Sequence, residues 1–272
     1  MDDAREPGTA GDRANAGGEP PRPAVDAPPA ARPSPFAELG RFVRAALLEP
    51  VAPSPADPPD VVRRRRVVVV ATLVAGAACL AWALRLAPGD PTFPAATLVL
   101  AALWAGGALV SGPLHLGRAH TRSGGSEGRG IVQSLALGAL LLGVFLLGAV
   151  LVARVPLLRD PVQALLDHAR YGPLALIAVV TAVNGLAEEL FFRGALFAAL
   201  APGRAVVGAA LASALATVAS GVPLLVLAAL VLGLVTGAQR RVTGGVLGPM
   251  VTHVTWSLGM LFLLPIALTA GS

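Results

Sequence analysis

Long apolar runs separated by short polar breaks fill the chain from residue 67 to residue 268. A helix needs about 20 apolar residues to cross the hydrocarbon core of a bilayer. The runs at 67–86, 131–153, 173–200 and 245–268 are long enough, whereas three others are short. The short runs are 95–110, 205–220 and 223–238. The pattern predicts an all-α fold, a polytopic membrane helix bundle with about seven transmembrane helices.

The N-terminal part of the chain has a different pattern. Residues 1–62 are rich in Pro, Ala and Gly and poor in large apolar residues, so they bury too little surface to offset the entropy of ordering. We therefore expect a disordered cytoplasmic tail here, interrupted by a short amphipathic helix at 35–48 that lies on the membrane surface. Residues 63–129 would then hold the first two transmembrane helices and their loop, and residues 130–268 the rest of the bundle.

Composition supports the membrane assignment. Hydrophobic residues make up 55% of the chain and charged residues 14%, and the mean hydropathy is +0.71, which excludes an ordinary soluble domain. The net charge of +5 does not indicate nucleic-acid binding, because the arginines cluster beside apolar runs. The expected partners are the lipid bilayer and a peptide or protein in or near it, with no nucleic acid.

The positions of the arginines predict the orientation. Arg63, Arg64, Arg65 and Arg66 directly precede the first apolar run, which places the N-terminus in the cytoplasm. Seven crossings would leave the C-terminus outside, and residues 157–171 could form a short interfacial helix on that outer side. Arginine without lysine, together with abundant Ala, Gly and Pro, suggests a GC-rich genome. The expected location is therefore a bacterial plasma membrane.

Three charged residues interrupt the fourth apolar run. A charge at the centre of a bilayer costs about 2.5–3.5 kcal/mol, so Glu188, Glu189 and Arg193 need a reason to be there. The two glutamates lie about 100° apart around a helix axis and cannot face the same partner. Arg193 follows Glu189 by four residues and Asn184 precedes Glu188 by four. We expect Glu189 to pair with Arg193 and Glu188 to face the bundle interior.

A histidine in the seventh run lies at a similar depth. At about 1.5 Å per residue, Glu188 is roughly 18 Å from the cytoplasmic end of its run and His253 roughly 12 Å from the end of its own. A glutamate and a histidine that face each other across a bundle can hold and activate a water molecule, with or without a metal. His253 is therefore the second candidate residue of a catalytic site.

These residues resemble the motifs of a known family. Glu188-Glu189-Leu190-Phe191-Phe192-Arg193-Gly194, followed by an apolar helix that carries His253, is similar to the CPBP intramembrane proteases. That family includes type II CAAX prenyl endopeptidases and bacterial bacteriocin-processing and immunity proteins. The resemblance covers roughly residues 130–268. It implies that Glu188 is a general base acting on water, that Glu189 and Arg193 support the site, and that two histidines and an asparagine complete it.

The chain departs from the family pattern at two positions. Where the family has a phenylalanine followed four residues later by histidine, this chain has Ala216 and Ser220. Where the family has asparagine or histidine four residues after the last histidine, it has Ser257. Ser220 and Ser257 could hydrogen-bond a water or an oxyanion. Glu188 and His253 remain the candidate ligands of a divalent metal such as zinc, but two histidines and a glutamate cannot be assembled from the matching positions.

Three functions fit the sequence. The first is an intramembrane endopeptidase that uses Glu188 to activate water. The second is a catalytically silent relative that acts as a membrane scaffold or an immunity-type binding protein. The third is a small transporter with a Glu-Glu-Arg proton relay, which visible internal repeats would favour. The alternative without a function is that Glu188, Glu189 and Arg193 form a structural ion cluster that stabilises helix packing.

Overall fold

The structure is a computed structural model that describes residues 34–51, 57–119, 130–170 and 172–271. The first 33 residues of the predicted tail lie outside these ranges. The described helices are α1 (Pro35–Leu47), α2 (Pro59–Ala83), α3 (Phe93–Ser111), α4 (Ile131–Val152), α5 (Pro156–Arg170), α6 (Leu174–Ala199), α7 (Ala205–Ser220), α8 (Pro223–Thr243) and α9 (Leu247–Ala270).

Six helices are long and apolar enough to cross a membrane, namely α2, α3, α4, α6, α8 and α9, and α7 is a shorter apolar helix. The predicted all-α membrane bundle is therefore confirmed, and the chain is a multi-pass membrane protein. Two runs that looked short, those in α3 and α8, form helices of 19 and 21 residues. They are longer than predicted because the helices continue into flanking polar residues, as at Gln239 in α8.

Helix α2 begins at Pro59, eight residues before the apolar run, so the four arginines lie in its first turns. Arg65 is fully buried, and its guanidinium donates to Asp57 Oδ2 at 2.8 Å and to Ser111 Oγ at 3.2 Å. Arg64 donates to the carbonyl of Val110 at 2.8 Å. The arginines that mark the start of the bundle therefore also bind the carbonyl end of α3, which lacks helical hydrogen-bond partners of its own.

Small residues let neighbouring helices approach one another closely. A Cβ at Gly138 of α4 would lie 2.8 Å from the carbonyl of Thr252 in α9, and one at Gly76 of α2 would lie 2.2 Å from the ring of Trp104 in α3. Trp104 packs in turn on Phe191 and Phe192 of α6, at ring-centroid distances of 4.7 and 5.1 Å. This aromatic cluster fixes α6 against α3.

The polar connections gather at two ends of the bundle. At one end, the amide of Val246 donates to the carbonyl of His115, and that of Arg118 donates to the carbonyl of Thr243. The same end holds the start of α2, since Arg66 Nε donates to the carbonyl of Ala199 at 3.2 Å. We refer to it as the arginine-rich end. Helix α5 covers nearly the same residues as the helix predicted at 157–171, and it lies at the opposite end of the bundle.

Candidate active site

Helix α6 changes its winding directly after the two glutamates. Residues Leu190–Leu196 form a π-helix, in which each amide bonds five residues back instead of four. Arg240 of α8 donates from Nε to the carbonyl of Arg193 inside this segment, at 2.9 Å. π-Helical turns are rare and frequently occur at functional sites. The regular α-helix ends at Glu189, and Arg193 lies inside the π-helical segment.

Glu189 lies at the centre of a buried charged cluster. Its side chain is fully buried, and Oε1 lies 3.1 Å from Arg193 Nη1 and 2.8 Å from His253 Nδ1. Arg193 is 1% exposed. The structure therefore contains the Glu189–Arg193 pair that the four-residue spacing indicates, and it adds His253 as a second partner of the same oxygen.

The contact with Glu189 selects the tautomer of the neutral histidine ring. A carboxylate held by arginine accepts a hydrogen bond, so His253 Nδ1 carries the proton and donates it. In the neutral ring, Nε2 then has a free lone pair. Nε2 lies 3.9 Å from Glu188 Oε2, and Gly185 leaves space for the ring, since a Cβ there would lie 3.5 Å from His253 Cδ2.

Glu188 occupies a different environment from its neighbour. Its side chain is 34% exposed in the isolated bundle, whereas that of Glu189 is fully buried. The 3.9 Å between Glu188 Oε2 and His253 Nε2 is too long for a direct hydrogen bond. It does leave room for one water molecule at about 2.8 Å from both atoms. Glu188 Oε2 and His253 Nε2 are thus two proton acceptors that can face the same water molecule.

The part of the chain that contains Glu188, Glu189, Arg193 and His253 matches a family model. Residues 170–259, about a third of the chain, match the family model described as Type II CAAX prenyl endopeptidase Rce1-like. The chain contains an Rce1-like segment. The match confirms the family resemblance read from the sequence and supports a relation to an intramembrane protease family. No curated protein and no solved structure matches the chain.

Several buried polar atoms near the Rce1-like motif residues have no partner among the described residues. They are Asn184 Oδ1, Glu189 Oε2, Arg193 Nε and Trp256 Nε1. Asn184 uses its other atom, Nδ2, to donate to the carbonyl of Val180 at 3.0 Å. Buried polar groups are nearly always satisfied by protein or ordered water, so this concentration is typical of a site that holds water or substrate.

The two serines at the departing positions bond their own backbone. Ser257 Oγ donates to the carbonyl of Val254 at 3.3 Å, and Ser220 Oγ accepts from the amide of Val222 at 3.1 Å. Within the described residues, no hydrogen bond joins either hydroxyl to Glu188 or His253. The structure thus brings four of the candidate residues together, namely Glu188, Glu189, Arg193 and His253, and leaves the serines engaged elsewhere.

A divalent metal does not fit the side chains that the structure brings together. Catalytic zinc is commonly held by three protein ligands. Among the described residues, no three His, Cys, Asp or Glu side chains are grouped in a way that could hold a metal ion. His253 Nδ1 is bound to Glu189, which leaves Nε2 and the carboxylate of Glu188 as two donors. No catalytic step is therefore derived through a metal.

Two groups of site residues escaped the sequence analysis. Thr252, next to His253, donates to Gln239 Oε1 at 2.9 Å, and Gln239 Nε2 donates to Ser134 Oγ at 3.0 Å. This buried network joins α9, α8 and α4 and holds the turn that precedes His253. Trp256 is the second, since its buried indole N–H lacks a partner among the described residues and its ring centroid is 6.2 Å from that of His253. Gln239 directly follows the apolar run at 223–238 and precedes two arginines, so the sequence contains no sign that it is buried.

Proposed function

We propose that this protein is an intramembrane endopeptidase in which Glu188 activates a water molecule to cleave a peptide bond within or near the membrane. One observation carries the proposal. Glu188 Oε2 and His253 Nε2 lie 3.9 Å apart in mid-bundle, beside an ion pair that fixes the histidine. The Rce1-like match over residues 170–259 supports the same reaction class.

Glu189 and Arg193 are positioning residues in this proposal. Arg193 binds the carboxylate of Glu189, and Glu189 holds the proton of His253 on Nδ1. Nε2 is then presented to the water as an acceptor. A carboxylate that orients a histidine in this way also stabilises the imidazolium that forms when Nε2 accepts a proton.

The positions of Glu188 and His253 support the following hydrolysis reaction. The water oxygen attacks the carbonyl carbon of the scissile peptide bond while Glu188 takes one proton from the water. The carbonyl becomes a tetrahedral oxyanion. Collapse of this intermediate breaks the carbon–nitrogen bond, and the proton passes from Glu188 to the departing amine. The products are a new carboxylate and a new amino terminus, and the glutamate returns to its starting state.

The oxyanion needs a hydrogen-bond donor, and Trp256 is the candidate that the proposal favours. The hydroxyl of Ser257 already donates to the carbonyl of Val254, and that of Ser220 has no hydrogen bond to Glu188 or His253 in the described part of the chain. The indole N–H of Trp256 is buried without a partner and lies one helical turn beyond His253. A donor already desolvated before the reaction can stabilise developing charge without reorganising.

The location of the site suggests where the substrate is cleaved. Glu188 is eleven residues before the end of α6, and therefore about 17 Å from the arginine-rich end. We place that end in the cytoplasm, because arginine is enriched in cytoplasmic segments beside membrane helices. A peptide segment that enters the bundle from the cytoplasmic side and reaches the middle of the membrane fits this depth.

Comparative proteomics of membrane peptides tests the proposal. Cells with the wild-type protein should release peptides that are missing in cells with Glu188→Gln, which keeps the shape of the side chain and removes the base. Glu38→Gln on the surface helix α1 serves as a matched control and should leave the peptide set unchanged. Identical peptide sets from wild type and Glu188→Gln would refute the proposal.

A second candidate is the catalytically silent scaffold. Ser220, at the position where the family has histidine, favours it, as does the engagement of Ser257 with its own backbone. The scaffold predicts that Glu188→Gln changes no released peptide while Arg193→Ala destabilises the protein. The two candidates are therefore distinguished by Glu188→Gln, because both predict that Arg193→Ala destabilises the protein.

A further inference from the structure

Helix α1 has an apolar stripe that the protein covers only in part. Phe36, Leu39, Val43 and Leu47 recur every three or four residues and therefore lie on one face. The helix starts from Ser34, whose hydroxyl accepts from the amide of Ala37, with a proline in the first position. With 13 residues, α1 is too short to cross a bilayer.

The two halves of the stripe have different surroundings. Val43 and Leu47, in the C-terminal half, are partly buried, and the adjacent Ala46 is 1% exposed, because this half packs against α8. Phe36 is 87% exposed and Leu39 is 44% exposed at the N-terminal half. The same face is thus covered by protein at one end of the helix and bare at the other.

The attachment of α1 fixes its depth. The carbonyl of Leu47 accepts from Arg241, and the amide of Val51 donates to the carbonyl of Val242 at 2.9 Å. Arg241 and Val242 belong to the last turn of α8, one of the membrane-spanning helices. Since a spanning helix ends at the membrane boundary, α1 is held at that boundary and not out in the solvent.

The opposite face of α1 has more arginine than glutamate. Arg41 lies across the helix from the apolar stripe, with Arg44 beside it and Glu38 one turn earlier, and all three are exposed. The neighbouring Arg63 and Arg241 are also exposed, and arginine outnumbers aspartate and glutamate among the exposed side chains of the arginine-rich end. Apolar side chains on one face and arginines on the other are typical of helices that lie in the interface of an anionic membrane.

We infer that α1 is an interfacial helix that inserts Phe36 and Leu39 into the surface of an anionic bilayer, with Arg41 and Arg44 at the lipid headgroups. The occupant of the bare half of the stripe is therefore lipid. The partial burial, the depth set by α8 and the basic opposite face all support this choice. The inference does not depend on the proposed protease reaction.

Site-specific fluorescence quenching tests the inference. Single cysteines at Phe36, Leu39 or Ala37, each combined with Cys79→Ser, are labelled with an environment-sensitive fluorophore. The full-length protein is then placed in vesicles of phosphatidylcholine and phosphatidylglycerol. Ala37 is the matched control, because it is exposed beside Phe36 but lies about 100° around the helix.

The labels should respond in opposite ways. We expect labels at positions 36 and 39 to be quenched strongly by lipids with a nitroxide near the headgroup, and several-fold less by aqueous iodide than the label at position 37. Omitting phosphatidylglycerol should increase iodide quenching at positions 36 and 39. Arg41→Gln combined with Arg44→Gln should produce the same increase in vesicles that contain phosphatidylglycerol.

Other outcomes would overturn the inference. Equal iodide quenching at positions 36 and 37 would show that the stripe faces water. Shielding from iodide without quenching by the lipid nitroxides would show that a protein surface, such as a second copy of the chain, covers the stripe. Unchanged shielding in vesicles without phosphatidylglycerol would refute the role of anionic lipid.

Discussion

The Nδ1 atom of His253 lies 2.8 Å from Oε1 of Glu189, and this contact joins α9 to α6 at the middle of the bundle. Because Arg193 binds the same oxygen, one carboxylate both neutralises a buried cation and orients a histidine. The neighbouring Glu188 neither pairs with Arg193 nor binds His253 Nδ1. The adjacent glutamates thus have different surroundings: Glu189 contacts Arg193 and His253 at 3.1 Å or less, whereas Glu188 lies 3.9 Å from His253.

Loss of Arg193 should destabilise the protein more than loss of Glu188. Arg193→Ala leaves the fully buried Glu189 without its cation, and breaking a buried pair costs about 3–5 kcal/mol. Glu188→Gln changes a partly exposed side chain and should shift the melting temperature little. Thermal unfolding in detergent measures both variants. Equal melting temperatures would contradict the assignment of Glu189–Arg193 as the structural pair.

Glu188 and His253 should behave as one catalytic unit. Glu188→Gln and His253→Ala should each abolish peptide release, and the double variant should be no worse than either single variant, because residues that act on one water are not additive. Peptide release from reconstituted protein measures the effect. Independent, multiplicative losses would indicate that the two residues serve separate steps.

The space opposite His253 should tolerate one methyl group but no more. A Cβ at Gly185 would meet His253 Cδ2 at 3.5 Å and Val254 Cγ2 at 3.6 Å, which are ordinary contact distances. Gly185→Ala should therefore retain peptide release, whereas Gly185→Leu should displace the imidazole and abolish it. Full activity of the leucine variant would show that His253 need not face Glu188.

Removing the indole N–H of Trp256 should slow the reaction without unfolding the protein. Trp256→Phe keeps an aromatic ring against Phe145, and loss of one oxyanion donor lowers kcat on the order of 10²-fold. Trp82→Phe, at a half-exposed position, is the control and should be silent. A Trp256→Phe variant with wild-type kcat would remove Trp256 from the catalytic group.

Positions before and after α6 should react with reagents on opposite sides of the membrane. In a Cys79→Ser background, Gly203→Cys lies at the arginine-rich end and Asp160→Cys at the other. A Cβ at Gly203 meets no neighbouring atom, and the Asp160 side chain is 61% exposed, so both cysteines are accessible. Membrane-impermeant maleimide should label Asp160→Cys from outside and Gly203→Cys only after lysis. Labelling of both from one side would contradict the proposed topology.

Local patterns in the sequence determined most of the fold. Apolar runs of membrane length fixed the number of helices and most of their positions, because backbone groups inside a bilayer must bond within their own helix. The spacing of Glu189 and Arg193 predicted their pair, since residues four apart share a helix face. The amphipathic period at 35–48 likewise predicted α1.

Contacts between distant segments were decided only by the tertiary structure. The sequence placed Glu188 and His253 at similar depth, but the choice of Glu189 as the partner of His253 Nδ1 depends on how α9 turns towards α6. The π-helix at Leu190–Leu196 has no local signal of its own and is accompanied by the Arg240 bond from α8. A hydrogen bond depends on distance and direction between side chains, and a linear pattern specifies neither across separate helices.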